Sequence, residues 1–342
     1  MMKTNKKLPA KLLNSVNETV VHYGMLKNGD RVLVCVSGGA DSVTLLNVLM
    51  ALRSKLGIKI VVANLDHGIR GKDSAGESLF VKKLAEELNI ECVQEKLKPF
   101  KLTSGKRSLE ENLREKRYSF FAGAAKKAGC SVIATGHNMD DQAETVLMRV
   151  IKGSSIDGLA GIPPVRMEGH LKIIRPLIRT SRREIMAFIS GERKEHVNDS
   201  SNDDINFLRN RIRKEILPFL EKINPAIRPA LVNISDSARE EILFSLAARK
   251  DKVRSLVAAS AHKPEISLKK YVAQDRAVRK EIFKELFRSS GGNIKKMAHR
   301  HWMLMDNFAR TQSKGRSLDL PGNVCVVKSK GKLTFFVPGT KT

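Results

Sequence analysis

The chain has 342 residues, 42% of them hydrophobic, which exceeds one typical domain and can bury at least one substantial core, so two domains are expected. Its 62 Lys and Arg against 36 Asp and Glu leave a formal charge of +26, suited to a polyanion such as nucleic acid and not needed by an enzyme of small molecules alone. Four scattered cysteines (Cys35, Cys92, Cys130, Cys325) without a C-x-x-C pair, and no apolar run of signal-peptide or membrane-spanning length, exclude a zinc knuckle, an iron–sulfur cluster and a membrane anchor and fit a reduced, cytoplasmic protein.

In chain order, a leading helix is expected near 9–23, followed from residue 31 by short β-branched runs that alternate with helical periodicity. Strands are predicted near 31–36, 58–65, 90–95 and 131–135, with helices near 42–55, 74–88, 108–128 and 140–151. That rhythm is the sign of a doubly wound, mainly parallel α/β sheet, whose ligand sits at the carboxyl ends of the strands. The loops starting at Ser37, Asp66, Leu97 and Gly136 should therefore face one crevice. After Gly153 the glycines and Pro163-Pro164 predict an irregular bridge with a short apolar stretch at Ile173-Ile174. From 218 the chain reads as helical, with apolar periodicity near 236–258, 268–289 and 293–309 and a hairpin at 318–337, so the expected domains are 1–217 and 218–342. No internal repeat or low-complexity tail is present.

The stretch Ser37-Gly38-Gly39-Ala40-Asp41-Ser42 lies between a predicted strand and a predicted helix. Glycines let backbone N–H groups approach an anion, the serine hydroxyls add donors, and the helix N-terminus favours negative charge. No lysine follows as in a Walker loop, and the G-x-G-x-x-G fingerprint is missing. Asp41 inside an anion site makes sense mainly if a divalent cation or a substrate ammonium lies between it and the phosphates. A glycine turn capped by Ser42 is the plain alternative.

Residues 136–145, Gly-His-Asn-Met-Asp-Asp-Gln-Ala-Glu-Thr, repeat the strand-turn-helix arrangement and put Asp140, Asp141 and Glu144 on one helix face. A helix start rich in acids is common without any active site. Beside Asp41, however, such carboxylates have a use in holding magnesium or a cationic nucleophile, and His137 stands at the strand end, where a packed turn histidine would also fit. Arg117 lies on the helix over 108–128. Arg209, Arg211, Arg213 and Lys214 form a basic cluster that offers a grip on RNA phosphates or on a triphosphate, or else is a solvated basic face.

The glycine loop resembles the SGGxDS loop of the PP-loop ATP pyrophosphatases, whose fold is adenine nucleotide α-hydrolase-like. With LDHGIRGKDS at 65–74, ENLREKRYSFF at 111–121, GHNMDDQAET at 136–145, GLAGIPP at 158–164, NDSSN at 198–202 and RNRIRKEILP at 209–218, the chain resembles the tRNA(Ile)-lysidine synthetases. The resemblance covers nearly the whole first domain and is weak in the second, where it rests mostly on Asp319-Leu320-Pro321-Gly322; long family members carry a further C-terminal domain that this sequence is expected to lack.

The resemblance implies a ligase that adenylates O2 of the wobble cytidine of tRNA(Ile) with a CAU anticodon and then joins the ε-amine of free L-lysine. ATP and Mg2+ are the implied cofactors, with no tightly bound metal cluster, and tRNA contact is implied for the second domain. No membrane partner is expected, and a homodimer is the candidate assembly. Ser37, Gly38, Gly39, Ala40, Asp41 and Ser42 with His67 and His137 would hold ATP, and Asp41 and Asp141 would take magnesium. Asp41, Asp141, Glu144, Arg117 and Arg209 would be catalytic, and Arg70, Arg211, Arg213 and Lys214 would meet the tRNA. Competing readings are a tRNA thiolase of the same superfamily, a small-molecule amidotransferase and a non-catalytic RNA-binding module. Missing cysteine pairs oppose the first, the charge opposes the second, and the acidic helix tip opposes the third.

Overall fold

The computed structural model describes residues 7–66, 72–96, 109–192, 194–197, 208–258, 264–311 and 317–338. The chain divides into two compact units, Met1–Ala238 and Arg239–Thr342.

The first unit opens with α1 (Lys7–His22), β1 (Arg31–Cys35), α2 (Ala40–Leu56), β2 (Lys59–Asp66), α3 (Lys72–Glu87), β3 (Cys92–Lys96), α4 (Leu109–Lys127), β4 (Val132–Ala134) and α5 (Met139–Ile151). These are the expected elements, displaced by a residue or two at their ends. The sheet has the order β3-β2-β1-β4, and all of these neighbours are parallel. Strand alternation explains its two faces. Val32, Val34 and Val36 enter one apolar cluster with α1, α2 and α3, through Val16, Val20, Leu45, Leu49 and Val81. Leu33 and Cys35 enter the opposite cluster, under Phe120, Phe121, Ala124 and Ala125 of α4. Each large side chain buried in these layers contributes about 1.5–3 kcal/mol. The sheet is thus covered on both faces, as a doubly wound sheet must be.

The region expected to be an irregular bridge is more regular than that. After the short α6 (Ile156–Leu159), β5 (Val165–Glu168) and β6 (Leu171–Ile174) form an antiparallel hairpin, and β6 joins β4 in parallel to give six strands in the order β3-β2-β1-β4-β6-β5. Four-residue strands are too short to show a period. β6 is fixed by its tertiary neighbour, with Ile133 opposite Ile173 and Ala134 opposite Ile174. A helix, α7 (Arg182–Gly191), follows, capped by Ser181, which accepts from the Glu184 N–H while the Glu184 carboxylate accepts from the Ser181 N–H. Its Ile185, Phe188 and Ile189 cover the same face as α1 and α2.

The run Leu208–Ile223 is helical throughout, as α8 (Leu208–Arg211), a π-helical stretch at Ile212–Ile216 and α9 (Leu217–Ile223). It leads to α10 (Ile227–Ala258), a 32-residue helix inside which the unit boundary falls. The sequence puts a division at 217/218. In the structure Leu217 and Leu231 pack with Ala143 and Val146 of α5, which ties residues up to Ala238 to the first unit.

The second unit contains β7 (Glu265–Ser267), α11 (Leu268–Val272), α12 (Arg276–Ser289), α13 (His299–Arg310), β8 (Ser317–Leu320), β9 (Val324–Ser329) and β10 (Lys332–Phe336). The expected hairpin is part of a four-stranded antiparallel sheet, β7-β10-β9-β8. Ile282, Phe283, Leu286 and Trp302 pack on Val326, Leu333 and Phe335, with Phe283 at 5.7 Å from Trp302 and 5.9 Å from Phe335 between ring centres. Among the described residues no helix is long and apolar enough to cross a membrane.

Candidate active site

Strand order reverses between β1 and β4, since one branch runs to β2 and β3 and the other to β6. The crevice at the carboxyl ends of two such strands is the natural ligand position of an open α/β sheet. The glycine loop leaves β1 there, and the acidic helix follows β4 there.

In the loop, Gly38 adopts φ +92°, a conformation that a side chain would strain, and its carbonyl accepts from the Val197 N–H at 3.0 Å. Gly39 starts α2 in extended geometry without a side-chain cap. The Ser42 hydroxyl, buried, accepts from the Ser37 N–H at 3.1 Å and donates to the Gly39 carbonyl at 2.9 Å, which closes the turn from inside. The N–H groups at the start of α2 thus point toward the crevice with the helix dipole behind them. Gly136 follows β4 so closely that a Cβ there would lie 3.3 Å from the Asp41 carbonyl carbon and the Ser42 nitrogen. A triphosphate fits this cradle of backbone donors.

The loop after β4 joins the two motifs. Asn138 caps α5 by accepting from the Asp141 N–H at 3.1 Å, while Asp141 accepts from the Asn138 N–H at the same distance. The Asn138 amide also donates to Asp41 at 3.1 Å, so Asp41 and Asp141, 100 residues apart in sequence, share one buried asparagine. His137 lies 3.0 Å from the Thr135 hydroxyl through Nδ1, at the mouth of the same loop.

Around these carboxylates stand arginines. Glu144 is fully buried and accepts from Arg209 Nε at 2.8 Å, Arg213 Nε at 2.5 Å and Arg213 Nη2 at 3.0 Å. Arg209 Nη2 also donates to Asp141 at 2.8 Å. A buried carboxylate needs such partners, because leaving it unpaired would cost several kcal/mol. The hydrogen bonds that Arg213 donates to Glu144, joined by the charge of Glu144 and that of Asp141, outweigh burial and raise the pKa of Arg213. Arg209, where burial is the largest influence and opposes the charge, is still raised by Asp141 and Glu144. Asp140 accepts from the Arg182 N–H at 2.7 Å and from Arg228 Nη1 at 2.7 Å, so it pins the start of α7 and the start of α10 to the tip of α5. Asp41 pairs with the Arg182 guanidinium. Burial, the largest influence, pushes the Asp41 carboxyl above its ordinary pKa, helped by Asp141 and opposed by Arg182 and Asn138.

The structure thus gathers the glycine loop, Asp41, Asp141, Glu144, Arg209 and His137 into one region. Arg117, exposed on α4, is near enough to act electrostatically on the Cys35 thiol at the end of β1, whose pKa burial raises. Arg213 departs from the expected outward, RNA-facing position: it points inward to Glu144, because the fully buried carboxylate draws a second cation. Arg211 and Lys214 remain exposed, and Arg211 pairs with Glu215 at 3.2 Å. His67 and Arg70 lie outside the described residues. Magnesium is less well served than the triphosphate. Among the described residues no group of three His, Cys, Asp or Glu side chains is placed to hold a metal, and Asp41 and Asp141 already face arginines, so the donor set does not fit a protein-held ion.

Three contributors escaped sequence reasoning. Asn138 lay inside a motif without an assigned part. Arg182 lies inside the Ser181-x-x-Glu184 capping pattern, a helix-start signal that places it at the first position of α7. Arg228 carried no local signal, since its partner Asp140 is 88 residues away. GLAGIPP finds its reason in packing. The Ile162 N–H donates to the buried Gln142 of α5 at 2.7 Å, Gln142 donates to Ser235 at 2.7 Å, and buried Arg175 donates to the Pro163 carbonyl at 2.5 Å.

Residues 5–220 match the family model of the PP-loop domain. A tRNA(Ile)-lysidine synthase from Symbiobacterium thermophilum is 47% identical over 231 residues, 67% of this chain and 48% of that protein. One from Geobacter sulfurreducens is 32% identical over 336 residues, 98% of this chain and 70% of that protein. The chain belongs to the PP-loop family of tRNA(Ile)-lysidine synthases. It spans about half the length of the first relative and 70% of the second. Among solved structures, a U34-tRNA thiolase from Methanococcus maripaludis with a [4Fe-4S] cluster superposes with a TM-score of 0.57 at 21% identity, over 68% of this chain and 79% of that one, a likeness of fold.

Proposed function

We propose that this chain is a lysidine-forming ligase: it adenylates O2 of the wobble cytidine in a tRNA(Ile) with a CAU anticodon and then joins the ε-amine of free lysine at carbon 2. The observation that carries the reading is the Asn138 bridge, which holds Asp41 and Asp141 together beside the glycine loop. Relatives named for this reaction, covering most of the chain, support it. In the first step the cytidine O2 attacks the α-phosphorus of the co-substrate ATP, and pyrophosphate departs into the cradle formed by Ser37 to Ser42 and the start of α2. In the second, the lysine amine attacks carbon 2, and AMP leaves with the oxygen.

The residues have parts suited to these steps. An ammonium cannot attack, so the amine must lose a proton; on this reading Asp41 and Asp141 hold the ammonium and accept that proton, and the upward shift of Asp41 makes it a better acceptor. Glu144, saturated by Arg209 and Arg213, holds those guanidiniums in place and leaves the proton to the other two carboxylates. Arg209 and Arg117 offset negative charge at the phosphates, and His137 faces the nucleotide. Magnesium would enter with the nucleotide, whose phosphates would supply most of its ligands. The exposed Arg211 and Lys214 contribute to binding the tRNA, as does the net positive charge.

Incubation with ATP, magnesium, radiolabelled lysine and bulk bacterial tRNA tests the reading: label enters RNA, and only when lysine is supplied. Label arriving only from a sulfur donor, or no RNA labelling with any donor, would overturn it. Full lysidine formation by Asp141→Asn at saturating lysine would remove that carboxylate from the scheme.

A further inference from the structure

Four carboxylates at the crevice, Asp41, Asp140, Asp141 and Glu144, are matched by four guanidiniums, Arg182, Arg209, Arg213 and Arg228. The pairs are not equivalent. Glu144 is 0% exposed and Asp140 19%, with Arg228 at 18%, whereas the Arg182 and Asp41 side chains are 45% and 34% exposed. Opening a buried pair strands a charge, but parting a half-exposed one costs less. The backbone of Arg182 is fixed independently of its side chain: its N–H is held by Asp140, and Ser181 and Glu184 close the capping box around it. A long, half-exposed guanidinium therefore pivots from a rigid helix start, beside the first turn of the helix that carries the phosphate loop.

We propose that Arg182 is a phosphate-binding residue that Asp41 parks. When a nucleoside triphosphate occupies the loop, the Arg182 guanidinium moves from the Asp41 carboxylate to the phosphates, where its planar set of donors suits phosphate oxygens better than a single carboxylate oxygen. The exchange has a second consequence. It frees Asp41 for the ammonium of the amine substrate, so that the nucleotide binds first and prepares the amine site. This rests on the proposed reading of Asp41 as an amine ligand, while the phosphate contact itself requires only that the loop binds ATP.

The experiment compares the full chain with Arg182→Ala and Arg182→Lys, measuring ATP binding at equilibrium without tRNA, the KM values for ATP and lysine in the complete reaction, and thermal unfolding. Arg182→Ala is expected to weaken ATP binding and raise its KM by about 10- to 100-fold, the effect of losing a charge-assisted hydrogen bond. The lysine KM should not rise at saturating ATP, and Arg182→Lys should recover part of the ATP affinity. Wild-type ATP affinity in Arg182→Ala, or a rise confined to the lysine KM, overturns the proposal and leaves the ligase reading standing. Lost ATP affinity together with a lowered unfolding temperature in both variants also overturns it, since that is a structural role. Failure of the wild-type chain to bind ATP removes both readings, whereas ATP binding without RNA labelling by lysine removes the ligase alone.

Discussion

Each unit buries a carboxylate against arginine, and the two groupings differ in what surrounds them. In the second unit Arg279 binds Asp306 through Nε at 2.8 Å and donates to the Gln274 carbonyl at 2.7 Å, while Tyr271 lies 3.5 Å from the same carboxylate, beside the packed rings of α12 and α13. In the first unit Glu144 is equally sequestered, but its arginines reach outward to Asp141, at the end of a strand where the sheet reverses direction. Chemically the pairs are alike. A buried ion pair is therefore no mark of a site by itself; the mark is a buried anchor whose partners extend into a crevice already lined with backbone donors.

Removing the carboxylate from each pair sharpens that difference. Glu144→Ala leaves Arg209 and Arg213 without their shared anchor and should destabilise the first unit by about 3–5 kcal/mol while abolishing ligation. Asp306→Ala should cost the second unit a similar amount yet leave ATP affinity at its wild-type value, as calorimetry and nucleotide titration on the same samples will reveal. If both variants lose ATP binding equally, the contrast fails. Gly136→Ala comes next: its Cβ presses on the backbone of Asp41 and Ser42 at 3.3 Å, so ATP affinity should fall by about tenfold with little change in fold. Normal nucleotide binding in that variant would mean the two loops need not touch.

The smallest effect concerns pH. Because its pKa is raised on folding, Asp41 holds its proton more tightly in the native chain than in the unfolded one. Stability from this group therefore declines as pH rises from the ordinary carboxylate range through the raised value, and the cost persists above it. Asp41→Asn should be slightly more stable than the parent at neutral pH, with the gain vanishing in acid. A gain that is the same at every pH would assign it to something other than the proton.

Most of the first sheet was legible because its strands obey local rules. Val32 to Val36 alternate between two apolar layers, and the stretches 31–36 and 131–135 end in turn residues that announce the loops. The phosphate cradle was legible for the same reason, since its glycines, serines and following helix are contiguous. The β5–β6 hairpin was not, because four residues carry no period and β6 is held by β4. The turn of Arg213 toward Glu144 was equally hidden: RNRIRKEILP reads as a basic face, and only the burial of Glu144, 69 residues before Arg213, draws two of its arginines, Arg209 and Arg213, onto that carboxylate.

By itself the sequence determined the order of strands and helices from α1 to α5, the anion-binding loop, the acidic helix start and the family to which they belong, all of which follow from neighbours in the chain. Tertiary structure alone decided which carboxylate is sealed, which arginines are spent on it and which remains at the surface. Such choices depend on desolvation, and whether a charge is taken out of water is settled only when distant segments close over it.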